Sequence, residues 1–351
     1  MKGWLLALAL CTGVCQAETL RVLNWEGYIA PGVLADFTEQ TGVDVEYRTF
    51  TTAAALEQAL ASDAPYDVIA PSHFQLSGLI ERGKIQRLDK RQLKHYDNLD
   101  PGLLASLATF SRAVDYVVPY LWTTVGLVTD DALVTEQLGA EPPNSWSLLF
   151  DSQQASKVSR CGIGWIDAPE ETFSLLLNYQ GRQLARLSPR GIERSAQTLQ
   201  QLAGTLRTLD NDRYIDDLAA GRLCASMAWA GHAIRASGKR PTLHYRIPQE
   251  GGLLTVDSWA IPTNAAHPEL AHRFIDFMLS APVAVKNTRS TSFYSPLKGA
   301  LPELEALRST DPQLVPTGEG RERLYFLEQP SPDQKAVIDR YWAQLRKDRT
   351  D

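Results

Sequence analysis

An α/β fold of two lobes is what this sequence predicts, each lobe a mainly parallel sheet flanked by helices, with a ligand cleft between them. Three observations point there. Strand-like and helix-like stretches alternate from the start of the chain, the length exceeds one ordinary core, and two long β-rich stretches run without helical pattern.

The alternation begins with a strand "LRVLNW" (20–25), a helix over 31–41 ending at Gly42, and a strand "VDVEYRTF" (43–50). A helix over 53–62, a strand "YDVIAPS" (66–72) and a short helix over 74–82 that stops at Gly83 follow. Strands separated by helical stretches of about ten residues indicate βαβ units, and ligands of such sheets sit beyond the carboxyl ends of the strands. Trp25 and Ser72 stand at two such ends. "VVPYLWTTVGLVTD" (117–130) has the character of a crossing between lobes, and "LLTVDSWAIP" (253–262) of a return crossing, followed by a helix over 268–280. The expected division is 18–122 plus 256–292 for the first lobe, and 123–255 plus 293–351 for the second.

Residues 1–17 are expected to be removed. Lys2 is a basic n-region, Trp4 to Val14 an apolar run too short for a bilayer span, and Cys15-Gln16-Ala17 ends in a signal-peptidase pattern. Leu10 before Cys11 and Val14 before Cys15 argue against a lipid-anchor site. The expectation is an exported, periplasmic, unanchored protein. Loss of Lys2 takes the formal net charge from −6 to about −7. A mildly acidic chain with scattered basic residues argues against nucleic acid or an anionic membrane as partner. Cys11 and Cys15 leave with the leader, so Cys161 and Cys224 remain as an even pair in an oxidising compartment and are expected to form a disulfide.

"VLNWEGYIAP" (22–31) ends its strand on two aromatics and a carboxylate, which suits either a core corner or the wall of a pocket for a cation. In order along the chain stand "NWEGYIAP", "YDVIAPS", "LDPGLL", "VPYLWTTVGL", "DAPEETF", "MAWAG", "VDSWAIP" and "FYSP". These eight blocks resemble the bacterial periplasmic polyamine-binding proteins, the solute receptors of spermidine/putrescine ABC importers, and most of all their putrescine-binding branch, which also carries the two cysteines. The resemblance implies a type II periplasmic binding protein, monomeric, without cofactor or metal, passing a small-molecule amine to an inner-membrane ABC permease. It implies ligand contacts at Trp25, Tyr28, Ser72, Glu171, Trp229, Asp257 and Tyr294. The chemistry agrees, because an alkyl chain bearing ammonium groups needs carboxylates at its nitrogens and flat walls along its methylenes.

Three positions depart from that pattern. Gly27 stands where the family usually has an acid, with Glu26 one place earlier; His232 replaces an aspartate; Thr255 replaces an aromatic. Glu26 and His232 therefore join the candidate ligand-binding residues. The departures leave two ligand readings open: a putrescine-like diamine, which is favoured, and a mono-cationic amine such as an ω-amino acid or agmatine. A sensing role beside a membrane signalling protein is a further alternative. An enzyme is not expected, since the six histidines show no zinc-hydrolase spacing and no nucleophile elbow, Walker loop or dinucleotide fingerprint is present.

Overall fold

Apolar alternation in "TLRVLNW" buries Leu20 and Val22, leaves Arg21 exposed, and makes the segment β1 (Thr19–Trp25). In the computed structural model, which describes residues 18–62, 65–299, 301–310, 314 and 320–347, the chain continues through α1 (Val33–Thr41), β2 (Asp44–Phe50), α2 (Ala53–Ala61), β3 (Val68–Ile69), α3 (His73–Glu81) and α4 (Pro101–Leu107). The long strand β4 (Val117–Asp130) comes next, then α5 (Asp131–Leu138), α6 (Ser147–Phe150), α7 (Ser152–Val158), β5 (Ile163–Trp165), α8 (Pro169–Tyr179) and α9 (Pro189–Leu202). After β6 (Leu206–Leu209), α10 (Arg213–Ala219), β7 (Ala225–Trp229) and α11 (Ala230–Lys239) come β8 (Leu243–Arg246) and β9 (Gly252–Ala260). The chain closes with α12 (Pro268–Met278), α13 (Ala281–Thr291), α14 (Pro302–Thr310), β10 (Leu324–Phe326) and α15 (Pro332–Lys347). The expected leader, 1–17, lies outside the described residues.

Two elements are shorter than their sequence pattern. α1 begins two residues late because Gly32 takes a left-handed conformation, φ 84°, and finishes the turn that leads in. The third strand is expected over 66–72, yet only Val68 and Ile69 make the ladder, paired with Val22 and Leu23. Asp67 N–H and Ala70 N–H still donate to Arg21 and Leu23 carbonyls (2.8 and 3.1 Å), and Pro71 then has no N–H to continue.

The ten strands form one sheet in the order β2-β1-β3-β9-β4-β7-β5-β6, with β8 on β4 and β10 on β9. Its two ends are parallel, β1 with β2 and β3, and β5 with β6 and β7. Its middle is antiparallel, where β9 pairs with β3 and β4, and β4 with β7. All fourteen residues of β4 are buried. Its first part pairs with β9, and from Val125 onward it pairs with β7. Pro119 interrupts the β4–β9 ladder, and the register shifts between Pro119 and Leu121.

Burial follows the same division. One apolar cluster draws on residues between Val125 and Leu253 and on Leu327 to Leu345. The other two draw mainly on residues from Leu20 to Trp122 and from Val256 to Leu314. Phe293, Leu297, Leu304 and Leu307 pack in the latter group, beside α13 and the first-lobe strands. Trp229 packs against clusters on both sides. Cys161 and Cys224 are joined as a disulfide, 63 residues apart with Cα atoms 5.6 Å apart, just before the parallel pair β5 and β7. Closing a loop of that length stabilises by about 4 kcal/mol in the chain-entropy description.

Candidate functional site

Asp257 is carried by β9 into the interior, where it is 2% exposed. Ser72, which follows β3 and caps α3, pairs with it across an isolated bridge, and its Oγ donates to Asp257 Oδ1. Gln75 holds Ser72 in that place, its side chain accepting from Ser72 N–H at 3.2 Å. Burial pushes the Asp257 carboxyl up to about 7, and the Ser72 and Tyr28 hydroxyls beside it only partly oppose this. Among the described residues Asp257 makes no ion pair.

Tyr28 reaches Asp257 because the chain reverses after β1. Gly27, at φ 72°, takes the left-handed conformation that a side chain disfavours, with open space where a Cβ would point. Trp25 and Tyr28 consequently stand with ring centroids 6.1 Å apart, and Trp25 also lies 4.4 Å from Phe50. Tyr120 donates to the Tyr28 carbonyl from behind. Burial, and after it the nearby Asp257 charge, keep the Tyr28 hydroxyl protonated far above its usual range.

The opposite wall comes from the end of β7. Trp229 closes that strand, and His232 lies in the first turn of α11. Gly231 allows this helix to touch the first lobe: a Cβ there would stand 2.8 Å from the Ser292 carbonyl and 2.9 Å from the Phe293 ring. Phe293 stacks on His232 (6.3 Å, 26°) and meets Tyr28 on its other side (5.0 Å). His232 in turn packs edge-on to Trp229 at 5.3 Å, and its Nδ1 lies 2.8 Å from the Tyr214 hydroxyl. Burial and the Arg235 charge lower the imidazole to about 3, so it is neutral at physiological pH.

Of the residues expected at the site, Trp25, Tyr28, Ser72, Asp257, His232 and Trp229 are thus linked by contacts, with Phe293 between the two halves. Tyr294 sits beside them, 5% exposed, exchanging backbone hydrogen bonds with Trp122 (3.1 and 2.8 Å) and packing on its ring at 4.6 Å. Glu171 is half-buried in the first turn of α8, where the neighbouring Thr172 hydroxyl donates to Met227 Sδ of β7 at 3.4 Å. Burial, then the Glu170 charge, raise its carboxyl to about 7, and no ion-pair partner stands beside it among the described residues. Glu26 is exposed, tied through its backbone N–H to the Phe50 carbonyl (3.0 Å). Thr255 faces Thr123 across the β4–β9 ladder, so no aromatic wall stands there.

Phe293, Tyr214 and Arg235 are the participants that sequence reasoning missed. Phe293 precedes Tyr294 inside a block already singled out, and Arg235 follows His232 by three positions on one helix face. Tyr214 had no local signal. The arrangement offers two unneutralised carboxylates, buried Asp257 and half-buried Glu171, and a band of aromatic faces, which together can desolvate and hold an ammonium group on an alkyl chain.

A family model described as bacterial extracellular solute-binding protein matches residues 32–316. The chain is 29% identical to the putrescine-binding periplasmic protein PotF of Escherichia coli, over 99% of this chain and 96% of that one. It is 30% identical to the putrescine-binding periplasmic protein SpuD of Pseudomonas aeruginosa, over 97% of each. Among solved structures, a spermidine/putrescine transporter substrate-binding protein, PotD of Streptococcus pneumoniae, superposes with a TM-score of 0.78 at 24% identity, covering 94% of this chain and 99% of that one. A chain from Listeria monocytogenes superposes with a TM-score of 0.81 over the same shares, also at 24% identity. The architecture is therefore the two-lobed type II binding-protein fold. Among the described residues no helix is long and apolar enough to cross a membrane. With its sheet, its two-sided aromatic band and its matched span all in agreement, the chain belongs to the bacterial extracellular solute-binding protein family.

Proposed function

We propose that the protein is a periplasmic receptor for a linear aliphatic amine of the polyamine class, which it delivers to an inner-membrane ABC permease. The observation that carries this reading is the buried Asp257 carboxylate, in no ion pair among the described residues, beside Ser72 and the Trp25–Tyr28 pair. An isolated buried carboxylate is costly, and a bound ammonium would offset that cost. Glu171 is the second carboxylate, for another nitrogen of the ligand. Trp25, Tyr28, Trp229 and Tyr294 line the cleft, and the periplasmic relatives with putrescine in their names support the ligand class.

In this reading residues 1–17 are the export signal, the mature chain carries no lipid anchor, and it acts as a monomer without catalysis. The lobes divide along the apolar clusters in this reading, and the clustering of Phe293, Leu297, Leu304 and Leu307 with Leu20 and Phe274 supports giving those residues to the first lobe. A thermal-shift panel of putrescine, cadaverine, spermidine, agmatine, 4-aminobutyrate and 5-aminovalerate tests the function. A ligand at 100 times its dissociation constant should add about 2.7 kcal/mol of stability. No shift with any of the six would sink the proposal. A second reading, an amine with a single ammonium, is favoured by His232.

A further inference from the structure

The crossing strands β4 and β9 carry a row of side chains that starts at Asp257. Residues two apart on a strand share a face of the sheet, and so do directly opposed residues of neighbouring strands. Asp257 and Thr255 of β9 therefore share a face with Leu121 and Thr123 of β4, since Leu121 pairs with Asp257 and Thr123 with Thr255. Val125 continues that face, opposite Trp229 of β7. The row runs from Asp257, through the two threonines, to Trp229.

The helix α8 covers the far end of this face. Tyr325 of β10 stands opposite Leu253, and its hydroxyl donates to the Ser174 carbonyl at 3.3 Å. Asn178, one turn further along α8, donates to the Glu250 carbonyl just before β9 begins. The helix therefore runs counter to β9. Glu171, about 4.5 Å of helix rise before Ser174, lies on the side toward Thr255. The two threonines consequently stand between the two carboxylates, Asp257 and Glu171.

Neither threonine hydroxyl is bonded. Thr123 is 3% exposed, and its Oγ1 has no hydrogen-bond partner among the described residues. Thr255, half-buried opposite it, likewise makes no side-chain hydrogen bond among the described residues. Thr124, next along β4 and on the other face, does bond, to the Tyr245 hydroxyl at 2.7 Å. A buried hydroxyl without a partner costs stability, which a ligand group bonded to it would recover. Bare methylenes cannot supply that bond. A threonine hydroxyl is neutral and both donates and accepts, so its complement is a neutral group that does the same.

We infer that Thr123 and Thr255 form a hydroxyl subsite between Asp257 and Glu171, so that the ligand is a linear diamine carrying a hydroxyl in the interior of its chain. This rests on the amine-receptor reading and narrows it. One ammonium lies at Asp257 and Ser72, the other at Glu171, and the ligand hydroxyl exchanges hydrogen bonds with the two threonines.

Calorimetry on the mature protein with length-matched pairs tests this: 2-hydroxyputrescine against putrescine, and 3-hydroxycadaverine against cadaverine. In at least one pair the hydroxylated diamine should bind several-fold more tightly than its parent. Thr123→Val, which keeps the side-chain shape, should remove that preference without lowering the melting temperature, whereas Thr123→Ser should keep it. Thr255→Phe, which puts an aromatic face against the chain, should reverse the order. Wild type that binds both parent diamines equally or more tightly, or a preference that survives both Thr123→Val and Thr255→Phe, overturns the inference and leaves the amine reading standing. Spermidine bound more tightly than either hydroxylated diamine by wild type, but not by Thr123→Val, would give the hydroxyls to a secondary ammonium and overturn it as well. Wild type that binds no linear amine overturns both.

Discussion

Replacing Asp257 with asparagine should stabilise the ligand-free protein while removing most of its affinity for amines. The carboxyl is 2% exposed and raised by burial from 3.8 to about 7. An unfolded chain keeps an aspartate near its ordinary value of about 3.9. Between roughly pH 4 and 7 the folded protein therefore holds a proton that the unfolded chain has lost. Stability falls as pH rises through that window and levels off above about 7. Three units at roughly 1.4 kcal/mol each put the cost at about 4 kcal/mol above neutrality.

Asparagine keeps the shape and still accepts from Ser72, but it has no charge to bury. The variant should melt several degrees above wild type at pH 8, and the gap should shrink markedly at pH 5, where the wild-type carboxyl is largely protonated. The same change removes the anion opposite a bound ammonium, for a loss of about 2–5 kcal/mol, at least tenfold in affinity. Scanning calorimetry of both proteins without ligand, followed by titration with putrescine and 5-aminovalerate, measures the two effects. A variant that melts below wild type at pH 8, or that binds these amines as wild type does, would refute the reasoning.

Glu171→Gln should likewise weaken amine binding at least tenfold by isothermal titration, since its carboxyl is raised by burial in the same way. Amine affinity should fall as pH drops through 7, by about tenfold for each carboxylate that must ionise between pH 8 and 6, with the sign set by two acids whose protonated forms cannot pair an ammonium. Alkylation without reductant should leave the intact mass of the mature chain unchanged, and losing the Cys161–Cys224 bond should cost about 4 kcal/mol in a denaturant titration. Phe293→Ala should destabilise the fold by about 3 kcal/mol and weaken ligand binding as well, because the ring packs between Tyr28 and His232.

Local pattern was enough for much of this molecule. The long β-rich run over 117–130, with no helical pattern, coincides with β4, and Gly42 ends α1 because its left-handed backbone, φ 72°, suits glycine. The βαβ order, the crossing strands and the pairing of Cys161 with Cys224 were legible for the same reason: each depends on short-range periodicity or on there being no other partner. The aromatic and acidic blocks were picked out by the family resemblance, and of their residues Trp25 and Trp229 do close strands.

Packing between distant segments decided the rest. Ser72 and Asp257 are 185 residues apart and meet only because β3 and β9 are neighbours in the sheet. Phe293, Leu297 and Leu304 pack in one apolar cluster with residues such as Leu20, Val22 and Phe274, which no periodicity announces. That His232 stands where the polyamine-binding family usually has an acid was legible through the resemblance. That this histidine is neutral was decided by its burial and by Arg235, and its place beside Tyr214 by the close approach that Gly231 permits between α11 and the 292–293 backbone. A proton's location depends on the burial and hydrogen bonds around it, and those exist only once the chain is folded.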